Sequence, residues 1–213
     1  MRFTITLTLL LISSSFSFSQ THAITDKGEE VILNNDGTWK YANITPSYDT
    51  KVDTVVVTKD KTATFLVKSQ KIAAGVWINP KKWKFEPYNG NATKAPVEYL
   101  FSMKGEDAYA MLITERVEAT SAAVKELVIS HAKEIDPNAH LTREEIRNVN
   151  GTTCYMLEYE ASNKGLSFHY IGYILSSAAG TIQFLGFTTQ NLVKKYKAEI
   201  EILLNGLTIT KEK

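Results

Sequence analysis

The sequence predicts an α+β fold: a predominantly antiparallel sheet covered by two helices, preceded by a small N-terminal β-ribbon. Three observations predict it. Apolar and polar residues alternate through 97–117 and 152–188, the period-two pattern of strands with two unlike faces. Short clusters rich in Gly, Asn and Ser separate these runs, and short connections favour antiparallel neighbours. Residues 121–135 and 192–207 instead place apolar side chains every three or four positions, the stripe of an amphipathic helix.

Residues 1–19 carry one early charge, Arg2, an apolar run at 7–12, and small residues at Ser17 and Ser19. This is the pattern of a secretory signal peptide, too short to span a bilayer as a mature helix. Cleavage is expected after Ser19. No later run approaches the length of a membrane span, so a periplasmic or secreted protein without stable membrane insertion is expected. The chain carries 24 Lys and Arg against 23 Asp and Glu. Loss of Arg2 with the leader brings the balance to zero, which disfavours a nucleic-acid partner. The single cysteine, Cys154, cannot form an internal disulfide, so packing must supply stability. Its place within a strand pattern reads as a small buried residue.

Residues 20–43 read as strand, turn, strand, turn, strand, with Asp36-Gly37 as a hairpin signal. Residues 44–61 are polar, include Pro46, Ser47 and Asp49, and read as a linker, with Val55, Val56 and Val57 as a potential edge strand. The main domain is expected over 62–213. A strand over 62–68 is followed by a second around Val76-Trp77-Ile78, which Pro80 should end. Residues 87–96 hold two prolines, glycine and asparagine and read as an exposed loop. Residues 97–103 alternate, with Val97, Tyr99, Phe101 and Met103 inward and Glu98, Ser102 and Lys104 outward. A turn at 104–107 leads into a partner strand carrying Tyr109, Met111 and Ile113.

The first helix, 121–135, presents Val124, Leu127, Val128, Ala132 and Ile135, with Thr120 or Ser121 as N-cap. Pro137 stops it. Residues 139–149 carry Arg143, Glu144, Glu145 and Arg147 and read as a charged edge strand. Asn150-Gly151 is a two-residue hairpin turn. Three more strands follow, and then a helix presenting Leu192, Tyr196, Ile200, Leu203 and Leu207. Thr188, Thr189 or Asn191 could cap its start, and Gly206 its end.

Two stretches carry resemblances. Asp26, Gly28, Val31, Leu33, Asp36-Gly37-Thr38-Trp39 and Tyr41 resemble a short motif at the N-termini of exported bacterial proteins, which implies location and no activity. From residue 62 to about 210, the Asn79-Pro80…Trp83 segment, the Tyr155/Tyr159 strand with its Gly165 turn, the Tyr170–Tyr173 strand and the terminal helix resemble the PsbP-like fold. That fold is named for an extrinsic subunit of the photosynthetic oxygen-evolving complex. The resemblance implies an α+β sandwich acting in binding or assembly, an implication from fold alone.

Chemistry is sparse. The chain has four histidines. His131, Asp136 and His140 cluster at a helix end without metal-ligand spacing, and His169 lies in the strand next to that of Cys154. The pairs Glu106-Asp107, Glu144-Glu145 and Glu158/Glu160 suit charged turns and strand edges. No nucleophile elbow, phosphate-binding loop or CxxC pair is present. The reading is therefore a non-enzymatic envelope binding or assembly module, with no cofactor and no metal. Its partner is expected to be another envelope protein or a small ligand. The candidate surface comprises Trp39, Tyr41, Trp77, Trp83, Tyr170 and Tyr173, together with the loop at 87–96 and whichever sheet face the helices leave open. The alternative is a hydrolase built from scattered carboxylates with His169 or His131.

Overall fold

The computed structural model describes residues 21–24, 30–34, 37–41, 55–88, 97–177 and 180–210. The leader, the 26–28 turn, most of the 44–61 segment and residues 89–96 of the expected loop lie outside them. Three short strands form the ribbon: β1 (Thr21–Ile24), β2 (Glu30–Leu33) and β3 (Trp39–Tyr41). The body contains β4 (Val55–Val57), β5 (Phe65–Lys68), β6 (Ala74–Ile78), β7 (Trp83–Pro87), β8 (Val97–Met103) and β9 (Tyr109–Glu115). Helix α1 (Ser121–Ile135) precedes β10 (His140–Val149), β11 (Thr152–Asn163), β12 (Leu166–Ser177) and β13 (Gly180–Thr189); α2 (Val193–Leu204) and β14 (Leu207–Ile209) complete it.

The main sheet has the order β4-β10-β11-β12-β13-β9-β8-β7. Its pairings are antiparallel except β4 with β10. A second sheet has the order β14-β6-β5. The expected meander is present, and Asn150 and Gly151 take φ of 50° and 85°, the left-handed pair that a two-residue hairpin needs. Among the described residues no helix is long and apolar enough to cross a membrane.

Both sides of β11 and β12 are apolar because both are covered, and by different elements. Val124, Val128 and Ala132 of α1 pack on Leu157, Tyr159, Ile174 and Leu185. On the opposite face, Tyr196, Ile200, Leu203 and Leu204 of α2 join the second sheet's Val67, Val76 and Ile78 over Met156, Ile171, Tyr173 and Phe184. Leaving that larger core exposed would forfeit roughly 1.5–3 kcal/mol for each large side chain.

The structure corrects several details. Leu207 is not helical: α2 ends at Leu204, and Leu207 pairs with Val76 in the second sheet. Gly206 is not a left-handed cap. A side chain there would collide with the carbonyl oxygen of Trp77, whose N–H donates to the Gly206 carbonyl at 2.8 Å. No side chain caps the start of α2; a single turn of 3-10 helix, Gln190–Leu192, leads into it. On α1, the Thr120 hydroxyl accepts from the Ala123 N–H as predicted, but Leu127 and Ile135 are exposed. Their positions lie at the edge and the end of the strip of sheet that the helix covers.

Among the described residues, strand β10 is a free edge only along part of its length. β4 pairs in parallel with Arg147–Val149, as the edge strand that Val55, Val56 and Val57 offered. Glu98, predicted outward, is buried. A register shift between Val97 and Tyr99 turns it inward, where its carboxylate accepts from Ser69 Oγ (2.7 Å), the Gln70 N–H (2.5 Å) and Thr114 Oγ1. A buried carboxylate is tolerated when it is hydrogen-bonded in this way, and here it ties the second sheet's turn to the main one.

Candidate functional site

Helix α1 lies along only part of its face. Its start is fixed by Ser121 Oγ accepting from the Ser176 N–H, and its end by Asp136 Oδ2 accepting from the Ser162 N–H. It packs on β10, β11 and β12 and reaches Leu185 of β13; beyond it on this side, Phe187, Leu100 and Ser102 are half-buried and Tyr109 is exposed. The strand registers place Phe168 and Tyr170 of β12, Phe187 of β13, Tyr109 and Met111 of β9, and Leu100 of β8 on this one face.

The rings form a continuous stripe. Tyr159 and Tyr170 stack at 4.6 Å, Tyr170 meets Phe187 at 5.6 Å, and Phe187 stacks on Tyr109 at 5.6 Å. The stripe runs from beneath α1 toward solvent. Tyr159 is buried, Tyr170 and Phe187 are half-buried, and Tyr109 is 38% exposed. Burial pushes the phenols of Tyr159 and Tyr170 above their ordinary range, so both remain neutral. At the open end lies a shallow groove of about 510 Å³ lined by Lys84, Glu86, Leu100, Ser102, Met103, Tyr109 and Phe187, with Glu106 and Asp107 at its edge. Aromatic rings that are partly packed and partly open combine apolar area with a fixed shape, the usual composition of a contact surface.

Of the six residues predicted to form a surface, Tyr170 belongs to this stripe. Tyr173 does not: it is fully buried on the opposite face, where its oxygen accepts from Arg147 (2.9 Å) and donates to Asn205 Oδ1 (2.5 Å). Trp83 is also core. Trp77 is half-buried with Lys59 Nζ 5.0 Å from its ring, and Trp77 and Trp83 both line a second cleft of about 220 Å³. Trp39 is half-buried in the ribbon; Tyr41 lies in β3, and its side chain is outside the described set. Sequence reasoning missed Tyr109, Phe168 and Phe187 as a surface. Their shared parity with Tyr170 was readable, but not that α1 stops short of them.

The titratable groups form a structural cluster. Glu158 is buried between the sheet and α2 and accepts from Lys197 (2.7 Å), Arg143 (3.1 Å) and His169 Nε2 (3.1 Å). Burial pushes its carboxyl up, yet Lys197, Arg143 and His169 together hold it below the ordinary range. Cys154 is buried, and desolvation pushes its thiol up to about 12, so no thiolate is available for attack. Neither of the two clefts is lined by a histidine. His140 Nδ1 lies 3.0 Å from the Asn138 carbonyl oxygen, and Asp136 binds the Asn138 and Ser162 N–H groups, so these residues close a turn. Among the described residues no three His, Cys, Asp or Glu side chains stand together as metal ligands.

No protein-family model matches the chain, and no curated protein matches it in sequence. Solved structures do. Cyanobacterial PsbP (CyanoP) from Synechocystis sp. PCC 6803 is similar over 68% of this chain and 91% of its own, with 16% identity and a TM-score of 0.53. PA94 from Pseudomonas aeruginosa, a protein of unknown function, is similar over 70% of this chain and 98% of its own (11% identity, TM-score 0.45). LpqN of Mycobacterium tuberculosis, involved in cell envelope biogenesis, is similar over 69% and 90% (13% identity, TM-score 0.47). The likeness to the cyanobacterial protein shows the fold: the body is PsbP-like.

Proposed function

We propose that the protein is an exported, non-enzymatic binding or assembly module of the bacterial cell envelope, acting through the open half of its main sheet. The carrying observation is the aromatic stripe that leaves the cover of α1 and ends at the solvent-facing groove beside Tyr109. Proteins rarely leave such a patch on a sheet without a use for it. Export rests on the signal-peptide pattern at 1–19, and the PsbP-like body supports a scaffold role by analogy of fold. A hydrolase centred on His169 is the weaker reading, because that ring is buried and its Nε2 already faces Glu158 at 3.1 Å.

The test is affinity capture of the 20–213 chain from envelope extract with crosslinking, beside a Tyr109→Lys/Ser102→Lys variant. A reproducible partner that the variant loses is the expected result. No reproducible partner, together with hydrolytic turnover abolished by His169→Ala, would overturn the reading.

A further inference from the structure

Among the described residues β7 is the last strand of the main sheet, and its outer edge carries a pattern complementary to itself. The Tyr88 N–H donates to the Glu98 carbonyl (3.0 Å) and the Lys104 N–H to the Lys82 carbonyl (2.8 Å), so the even-numbered residues of β7 turn their backbone groups toward β8. In an antiparallel ladder the alternate residues turn theirs away, which directs both the N–H and the C=O of Phe85 outward. On either side of it, Lys84 and Glu86 stand on the groove face, opposite Ser102 and Leu100. Both are exposed, and among the described residues neither has a hydrogen bond or ion pair. Phe85 lies on the other face, 37% exposed, with the exposed Phe65 of β5 at 5.7 Å between ring centroids.

We infer that this edge pairs antiparallel with the same edge of a second copy of the chain, about a twofold axis at Phe85. Each Phe85 N–H then donates to the Phe85 carbonyl of the other copy, the reciprocal bonding that a self-complementary contact needs. The same register sets Lys84 of each copy directly opposite Glu86 of the other, on the groove face, and brings the two Phe85 rings together on the opposite face. Moving the axis one residue to either side destroys the match, because Lys84 would oppose Lys84, or Glu86 would oppose Glu86. Lysine and proline on a sheet edge ordinarily discourage pairing. Here Glu86 answers the lysine, and Pro87, which has no N–H, keeps the pairing short and centred on Phe85. The strand has five residues, so the dimer is weak and concentration-dependent. Tyr109 lies on β9, two strands in from this edge, so the partner proposed for it is a separate contact.

Sedimentation velocity of the 20–213 chain at rising concentration is expected to show a monomer–dimer equilibrium. Lys84→Glu sets like charges against Glu86 at both symmetric contacts and should weaken the dimer about tenfold or more. The charge swap Lys84→Glu/Glu86→Lys should restore it. A second measurement reads the register. Opposed residues next to the central hydrogen-bonded pair lie about 4.5 Å apart at Cα, within disulfide range. Mild oxidation of a mixture of the Lys84→Cys and Glu86→Cys proteins should link one of each, while either alone links far less; the native Cys154 is buried. A monomer at every concentration, a dimer that Lys84→Glu leaves intact, a charge swap that fails to restore it, or no preference for the mixed disulfide would each overturn the inference.

Discussion

Replacing Gly206 by alanine is expected to lower the unfolding free energy by about 3 kcal/mol. The cause is a close approach. The end of α2 and the start of β14 pass the backbone of β6 so tightly that a methyl group on Gly206 would overlap the carbonyl of Trp77, and it would crowd the Leu203 carbonyl as well. Neither is the yielding tip of a side chain, so the strand and the helix would have to part. That movement would also loosen the bond from the Trp77 N–H to the Gly206 carbonyl and the pairing of Leu207 with Val76. Gly151→Ala is the control. Nothing lies within 4 Å of its would-be Cβ, and only its φ of +85° is unfavourable, a cost of about 1 kcal/mol. Urea midpoints for the two variants separate the effects. Equal losses would mean that β6 and the end of α2 are not in this contact.

The second large effect is at Glu158. Glu158→Gln should cost about 3 kcal/mol, the low end for breaking a buried ion pair, because Arg143 and Lys197 remain partly exposed and keep some solvation. The substitution should also change the pH profile. The carboxyl is held below its ordinary value of 4.5 in the folded state. The unfolded chain therefore binds the proton more readily, and stability falls as pH falls. The contribution is complete above the unfolded carboxylate value of 4.5 and is lost as pH drops through the lower folded value. Denaturant midpoints from neutral pH into that acid range should converge for the two proteins. A constant gap between them would contradict a charged Glu158 at the α2–sheet junction.

Much of this architecture was legible because local chemistry dictated it. Thr120 caps α1 as its hydroxyl suggests, Asn150-Gly151 turns as only such a pair readily does, and β8 spans the predicted alternation. Apart from the uncapped start of α2, the main misses were long-range. Glu98 reads as solvent-facing until a register shift brings it beneath Ser69 and Gln70. Leu207 continues a perfect helical stripe, yet it is claimed by Val76 from more than a hundred residues away. Periodicity shows that a strand has two apolar faces but not what covers each. Tyr173 and Tyr170 therefore looked equivalent in sequence, while one is sealed under α2 and the other leads to an open face. The same limit concealed Tyr109 and Phe187: their value as surface depends on where α1 ends relative to β13, which no local pattern encodes.

On the proposed reading, another molecule sits at the end of the main sheet where Tyr109 is exposed. The direct measurement is photo-crosslinking in intact cells, with a benzophenone amino acid placed either at Tyr109, on the stripe, or at Glu126, on the outer surface of α1 where the side chain is 76% exposed. A discrete adduct from position 109 and none from position 126 is the predicted result. No adduct from position 109, or the same adducts from both, would contradict it.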